Sequence, residues 1–259
     1  MKNSFLETAG KSAAVNTSVW KKRFRQAEIQ GPISRPPLLP GNGAGCGIIA
    51  EVKLKSPSRG ALIDMPHALD LPGIYESGGA EAVSVVVEER YFGGSPELFM
   101  KIAAGTRLPL LWKDFVVDPF QVELAAGLGA SGILLIAGLL RGTSLPEMIE
   151  RSRREGLRPL VEVHDEDELS AALDGGADLI GVNNRNLATL EVDTGLSERL
   201  APFICGPVQG VAESGFRLAE DIRRMRDLGY RAVLVGEALI RSTGSEGKLG
   251  AMVGAGRTG

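Results

Sequence analysis

Cysteine and histidine are scarce here: two of each in 259 residues. Cys46, Cys205, His67 and His164 are too few and too scattered for a zinc site, whose ligands arrive in closely spaced pairs. Two cysteines make no disulfide framework either, so the reducing cytoplasm is the default compartment. Long apolar runs are missing as well. No stretch approaches the ~18 residues of a membrane span, and the N-terminal MKNSFLETAGKSAAV lacks the continuous apolar core of a signal peptide. An excess of one charge sign is also absent. With 29 Lys+Arg against 32 Asp+Glu the net charge is −3 and the pI near 5.6, which gives no reason to expect nucleic acid as a partner. The basic clusters KKRFRQ (21–26) and RSRREG (151–156) read as solvated helix faces. What remains is a soluble, cytoplasmic chain, 44% hydrophobic, with enough apolar residues for a large core in one or two domains.

From residue 47 one pattern recurs: a short apolar run, a polar or glycine-containing loop, then an amphipathic segment. The runs are GIIAEVK (47–53), AVSVVVE (82–88), PLLWKDF (109–115), GILLIA (132–137), PLVEVH (159–164), DLIGVNN (178–184), VQGVAES (208–214) and AVLVGEA (232–238). Helical stretches lie between them, such as 119–129, 165–176 and 218–229, the last with Leu218, Ile222 and Met225 as its apolar stripe. Strands alternating with helices imply parallel strands joined by crossovers. Eight such units closing on themselves make an α/β protein of the (β/α)₈ barrel type over residues 47–245. An open doubly wound sheet competes, but KSPSRG follows the first strand where a glycine-rich dinucleotide turn would be expected. Residues 1–46 stand apart as an N-terminal extension and linker: SVWKKRFRQAEIQ reads as a helix on the bottom or side of the barrel, and 31–47 as a Pro/Gly-rich loop. Residues 246–259 are expected to fray into a flexible tail.

Strands buried on both faces should be almost continuously apolar, so the polar exceptions carry the information. Lys53, Lys113, Glu162, Asn183, Arg185 and Ser214 sit at or just past the C-terminal ends of their strands. Glu51 lies one inward step below Lys53, because Ile49, Glu51 and Lys53 share a face. Any one of these could be a strand-end group facing water. Five strands ending this way describe a catalytic pocket at the end where barrel enzymes assemble their active sites. AESGF and LVGEAL then place Gly215 and Gly236 directly after the seventh and eighth strands, where barrels commonly bind phosphate through backbone N–H groups. Ser56 and Ser58 of the first loop could add hydroxyl donors. The combination calls for a phosphorylated small-molecule substrate.

With these residues placed, the chain resembles the indole-3-glycerol phosphate synthase family of tryptophan biosynthesis over about residues 47–240. The resemblance rests on IIAEVKLKSPSRG, VSVVVEERYFGGS, LLWKDFVVDPFQ, LLIAGLL, LVEVHDEDEL, IGVNNRNL, VAESGF and VLVGEAL, all in order. It implies a carboxy-lyase that closes the ring of 1-(2-carboxyphenylamino)-1-deoxyribulose 5-phosphate, with loss of carbon dioxide and water and with no metal or organic cofactor. By similarity Lys113 is the general acid, Lys53 holds the substrate carboxylate or serves as an acid, Glu162 is the base, and Glu51 positions the lysines. A lysine among other cations in a partly dry pocket would lose its proton more easily, which suits acid catalysis near neutrality. Asn183 and Arg185 would bond substrate hydroxyl and carboxylate groups. Ser214, Gly215, Gly236, Glu237 (through its N–H) and Ser56 would hold phosphate, and Phe92, Phe115 and Leu134 would form an apolar slot for the aromatic ring. A monomer or weak homodimer is the expected assembly.

Several positions depart from the family pattern. Trp112 replaces a common arginine and should face the helix layer; Val87, Phe120, Ser131 and Asn186 also differ, and Lys55 adds a charge to the first loop. The catalytic positions are intact, which fits a divergent member acting in a specialised pathway better than a dead one. Two rivals remain at this point. One is an aminoketose isomerase working through a cysteine and an aspartate; the other is a non-catalytic barrel that binds a phosphorylated ligand.

Overall fold

The structure is a computed structural model that describes residues 4–24, 35–41, 45–140, 142, 144–242 and 245–257. Eight parallel strands close into a barrel: β1 (Gly47–Val52), β2 (Ala82–Val86), β3 (Leu110–Lys113), β4 (Gly132–Ile136), β5 (Arg158–Val163), β6 (Leu179–Asn183), β7 (Gln209–Glu213) and β8 (Ala232–Val235). Closure is made by β1, which pairs with β8 through Ile49↔Leu234 and with β2 through Ile49↔Ala82. All eight apolar runs are therefore strands, and the alternation sorts their side chains. Ile49, Ala82, Leu111, Leu134, Leu160, Leu179, Val211 and Ala232 fill the barrel interior, while Ile48, Ala50, Val52 and Trp112 join the layer beneath the helices. Trp112 is fully buried there, 6.2 Å from Trp20 and 5.0 Å from Phe99 between ring centroids.

Short polar residues start the outer helices by accepting orphan backbone N–H groups. Asp64 accepts from His67, Ser95 from Leu98, Asp118 from Phe120 and Asp165 from Glu168. Two sequence expectations need correction. Leu218 is not part of the stripe with Ile222 and Met225; it precedes the helix Ala219–Asp227 and is 62% exposed, while the other two are buried. As far as residue 256 the C-terminal tail does not fray. Ser245–Gly256 is a helix that packs on Ala219–Asp227 and Met65–Ser77 with Leu249 and Met252 buried, and the Gly256 carbonyl accepts from the Cys46 N–H. The barrel unit thus extends to residue 256.

The N-terminal helix α1 (Ser4–Arg23) takes the side of the barrel, towards the mouth, and not the bottom, the two places the sequence left open. Phe5 stacks against Tyr91 and Phe115 at 5.0 and 6.1 Å, the Trp20 indole N–H donates to Glu89, and Lys21 pairs with Asp118 at 2.7 Å. These partners belong to the segments that follow β2 and β3. Residues 25–30 of the expected helix lie outside the described residues. The bottom is instead closed by Leu38 and Leu39, both fully buried, whose carbonyls accept from the Arg158 guanidinium at the start of β5.

Candidate active site

A cavity of about 860 Å³ opens at the C-terminal ends of the strands. β1 brings Glu51, and Lys53 follows it; β3 brings Lys113, β5 Glu162, β6 Asn183 and β7 Glu213. The apolar strand residues below them force these side chains upward into one polar layer. Lys53 Nζ lies 2.6 Å from Glu51 Oε1. Lys113 Nζ sits 2.6 Å from Glu213 Oε2, 3.7 Å from Glu162 Oε2 and 3.9 Å from Glu51 Oε2. All three carboxylates are buried, with side-chain exposures of 4% or less. Gly236 and Gly181 make the close packing possible: a Cβ on Gly236 would lie 2.5 Å from Glu51 Oε1, and one on Gly181 would collide with Glu213 Oε1.

Electrostatics separate the three carboxylates. Burial alone would raise Glu162, but His164, whose Nε2 is 3.2 Å from Oε1, and Lys113 outweigh it and bring the carboxyl down to about 2. Glu51 is likewise held below its ordinary value, because Lys53 and Lys113 outweigh its burial. Glu213 goes the other way: burial, helped by the neighbouring carboxylates, beats Lys113 and pushes it up to about 7. Lys113 is raised, since burial is outweighed by Glu213, Glu162 and Glu51. The expectation of a lysine loosened by other cations is therefore corrected: carboxylates surround Lys113 and keep it protonated.

The other expected residues divide as follows. Phe92, Phe115, Leu134, Arg185, Ser214, Gly215, Gly236 and Glu237 all line the cavity. Phe92 is placed by Glu88, whose carboxylate accepts from the N–H groups of Arg90, Tyr91 and Phe92. Asn183 Oδ1 accepts from Ser214 Oγ at 2.8 Å and from the Arg185 N–H at 3.0 Å, while its amide helps to lower the Glu162 carboxyl. Ser214 has φ +65°, a left-handed conformation uncommon outside glycine, and its carbonyl accepts from Asn184 Nδ2 at 3.2 Å. Ser56 is not brought to the cavity. It pairs with Gly60 in a two-residue ladder, its hydroxyl buried without a hydrogen-bond partner. From the same loop Arg59 reaches the cavity instead and pairs with Glu237 at 3.2 Å. Arg217, Arg241 and Lys248 also line that side, so it is richer in cations than the sequence reading held.

Glu213 is the residue that reading missed. Its signal was present: Val211 and Glu213 share the inward face of β7 as Ile49 and Glu51 do in β1. Among the described residues no group of three or more His, Cys, Asp or Glu side chains is arranged to hold a metal ion.

The profile of the indole-3-glycerol phosphate synthase family matches residues 13–251. The chain belongs to this family. Among similar proteins, "Indole-3-glycerol phosphate synthase 1" of Streptomyces coelicolor is 46% identical over 83% of this chain and 80% of its own length. The indole-3-glycerol phosphate synthase of Carboxydothermus hydrogenoformans is 44% identical, covering 86% of this chain and 85% of that protein. That of Mycobacterium sp. strain KMS is 40% identical over 96% and 90%. A solved structure of a cube-shaped, highly porous cage, designed by fusing symmetric oligomeric domains, shares the fold at TM-score 0.58 and 17% identity, over 81% of this chain and 72% of its own. The family match begins within α1, at residue 13, and runs into the last helix. Among the described residues no helix is long and apolar enough to cross a membrane.

Proposed function

We propose that this chain converts 1-(2-carboxyphenylamino)-1-deoxyribulose 5-phosphate to indole-3-glycerol phosphate, carbon dioxide and water, acting as a cytoplasmic enzyme. The observation that carries the reading is the Lys113 ammonium, held among three buried carboxylates at the floor of a cavity lined by apolar and cationic side chains. In ring closure the carboxylate-bearing aromatic carbon attacks the ribulose carbonyl. The electron pair of the carbonyl becomes an oxyanion, which Lys113 stabilises and protonates, and loss of carbon dioxide restores the aromatic ring. Dehydration then breaks the C–OH bond with a proton from an acid, while a base removes a proton from the carbon beside nitrogen.

Glu213 is the group best matched to exchange protons here. It lies 2.6 Å from Lys113, and burial beside the other carboxylates pushes it up towards neutrality, where a group can both give and take a proton. Glu162, held at about 2 in the free site, is the weaker base until substrate alters its surroundings. Glu51 orients Lys53 and Lys113, and Lys53 with Arg185 meets the substrate carboxylate and hydroxyls. Ser214 and the backbone N–H groups of Gly215, Gly236 and Glu237 take the phosphate, with Arg59, Arg241 and Lys248 supplying counter-charge. Phe92, Phe115 and Leu134 flank the aromatic ring.

The isomerase reading has no thiol to work with. Cys46 is buried beside Gly256 at the far end of the barrel, its thiol pushed up to about 12 by burial, and the exposed Cys205 does not line the cavity. The test follows indole fluorescence and carbon dioxide together. Equal molar release of both is expected. Consumption of substrate without carbon dioxide, or no reaction by folded protein, overturns the assignment.

A further inference from the structure

His164 stands two residues beyond Glu162 and on the same face, just past the end of β5. Its ring lies between two carboxylates. Nε2 is 3.2 Å from Glu162 Oε1, a close charge contact that is not aligned as a hydrogen bond, and Nδ1 is 3.1 Å from Glu168 Oε2. The His164 backbone N–H donates to the same Glu168 oxygen at 2.9 Å. Glu168 is fixed in turn, because it sits in the first turn of the helix Glu166–Asp174 and its N–H donates to Asp165 at 2.8 Å. Its other oxygen lies against Gly138, where α1 also brings the apolar Leu6.

Glu162 therefore has each oxygen facing a different cation: Oε1 meets His164 and Oε2 meets Lys113 at 3.7 Å. We propose that His164 is a positioning residue for Glu162: braced by Glu168, it holds Oε1 and keeps Oε2 turned towards Lys113 and the reacting atoms. The inference rests on the reaction assigned above and adds to it a residue that touches neither substrate nor Lys113.

The arrangement also sets a charge. Burial would lower the imidazole, but Glu162 and Glu168 outweigh it and push His164 up to about 10, so it is a cation through the neutral range. The ionisable groups facing the Glu162–His164 pair are Glu168 from the following helix, Lys113 from β3, Glu51 from β1 and Glu213 from β7, with Asn183 of β6 bonding Glu162. Removing a cation beside Glu162 raises its pKa. The acid limb of the Glu162 titration, read by ¹³C NMR of labelled glutamate carboxyls, then moves to higher pH, while the kcat profile stays governed by Glu213.

Two substitutions separate position from charge. His164→Ala removes both and is expected to lower kcat about tenfold, with KM within twofold and the acid limb of Glu162 raised by about one unit. His164→Gln keeps an amide that can meet Oε1 but carries no charge; it should restore most of kcat while the limb stays displaced. An unmoved limb with unchanged kcat overturns the proposal. So does a lowered melting temperature with an unmoved limb, which is what packing alone would produce. Should His164→Ala fail to fold, Glu168→Gln removes the brace and is expected to move the limb in the same direction.

A readout free of substrate distinguishes failure of this inference from failure of the assigned reaction. The chain has two histidines, so ¹⁵N-histidine labelling gives two sets of ring signals, assigned with the His164→Gln protein. The His164 ring is expected to carry protons on both nitrogens from pH 6 to about 9. A neutral ring at pH 8 overturns the proposal whether or not the enzyme turns over.

Discussion

Replacing Lys113 by methionine keeps an apolar stem and deletes the ammonium on which Glu213, Glu162 and Glu51 converge. At an effective dielectric constant near 20, the Glu213 contact at 2.6 Å corresponds to about 6 kcal/mol of attraction, and the contacts at 3.7 and 3.9 Å to about 4 kcal/mol each. Burying the ammonium costs several kcal/mol in the opposite direction, and the net loss for breaking a buried pair is about 3–5 kcal/mol. For a chain of this size that lowers the melting temperature by about 10 °C. The loss must depend on pH. Without Lys113 the Glu213 carboxyl rises further above its unfolded value, and a raised folded pKa contributes stability that disappears as pH rises through it. The deficit should therefore be smaller at pH 5, where Glu213 is protonated and only Glu162 and Glu51 lose their cation, and larger at pH 8. Thermal denaturation across this range measures it, and Glu213→Gln in the same chain should recover most of the loss at pH 8. A Lys113→Met protein that melts with wild type at pH 8, or shows the same deficit at both pH values, refutes the reasoning.

Three further outcomes follow from the same geometry. Glu213→Gln should lower kcat by about 10²- to 10³-fold with KM within a few fold, and the ionisation near pH 7 should vanish from the kcat profile; steady-state kinetics from pH 5 to 9 checks both. Asp114 is pushed up to about 8 by burial, while hydrogen bonds from Gln121 and the Phe115 N–H act against it. Its stabilising protonated form is lost as pH rises through that value, with a slope of up to about 1.4 kcal/mol per unit. Asp114→Asn should flatten that decline in denaturant titrations, at a cost of about 1 kcal/mol at pH 5. Gly236→Ala places a methyl 2.5 Å from Glu51 Oε1. Circular dichroism should be unchanged while kcat falls at least about tenfold, because Glu51 must leave Lys53.

The barrel was legible because strands buried on both sides leave apolar runs that survive any local ambiguity, and because polar residues inside such runs have few alternatives to a site. Glu51, Lys53, Lys113 and Glu162 were found on that argument, and the structure brings them together. What the sequence did not display is tertiary. Ser245–Gly256 is glycine-rich and reads as a fraying tail until a groove between two helices receives Leu249 and Met252. Whether α1 lies above or below the barrel depends on Phe5 finding Tyr91 and Phe115, which no periodicity encodes. Ser56 and Arg59 share one short loop, and its two-residue ladder decides which of them reaches the cavity. The surroundings of Lys113 were misjudged for a related reason: without Glu213 in place, the count of charges around it came out with the wrong sign.

The most direct test of the account is the single-turnover rate of indole formation at saturating carboxyphenylamino-deoxyribulose phosphate, compared between wild type and folded Lys113→Met at pH 7. The account predicts indole fluorescence from the wild type and a rate at least about 10²-fold lower in the variant, with substrate still bound. Equal rates in the two proteins would contradict it.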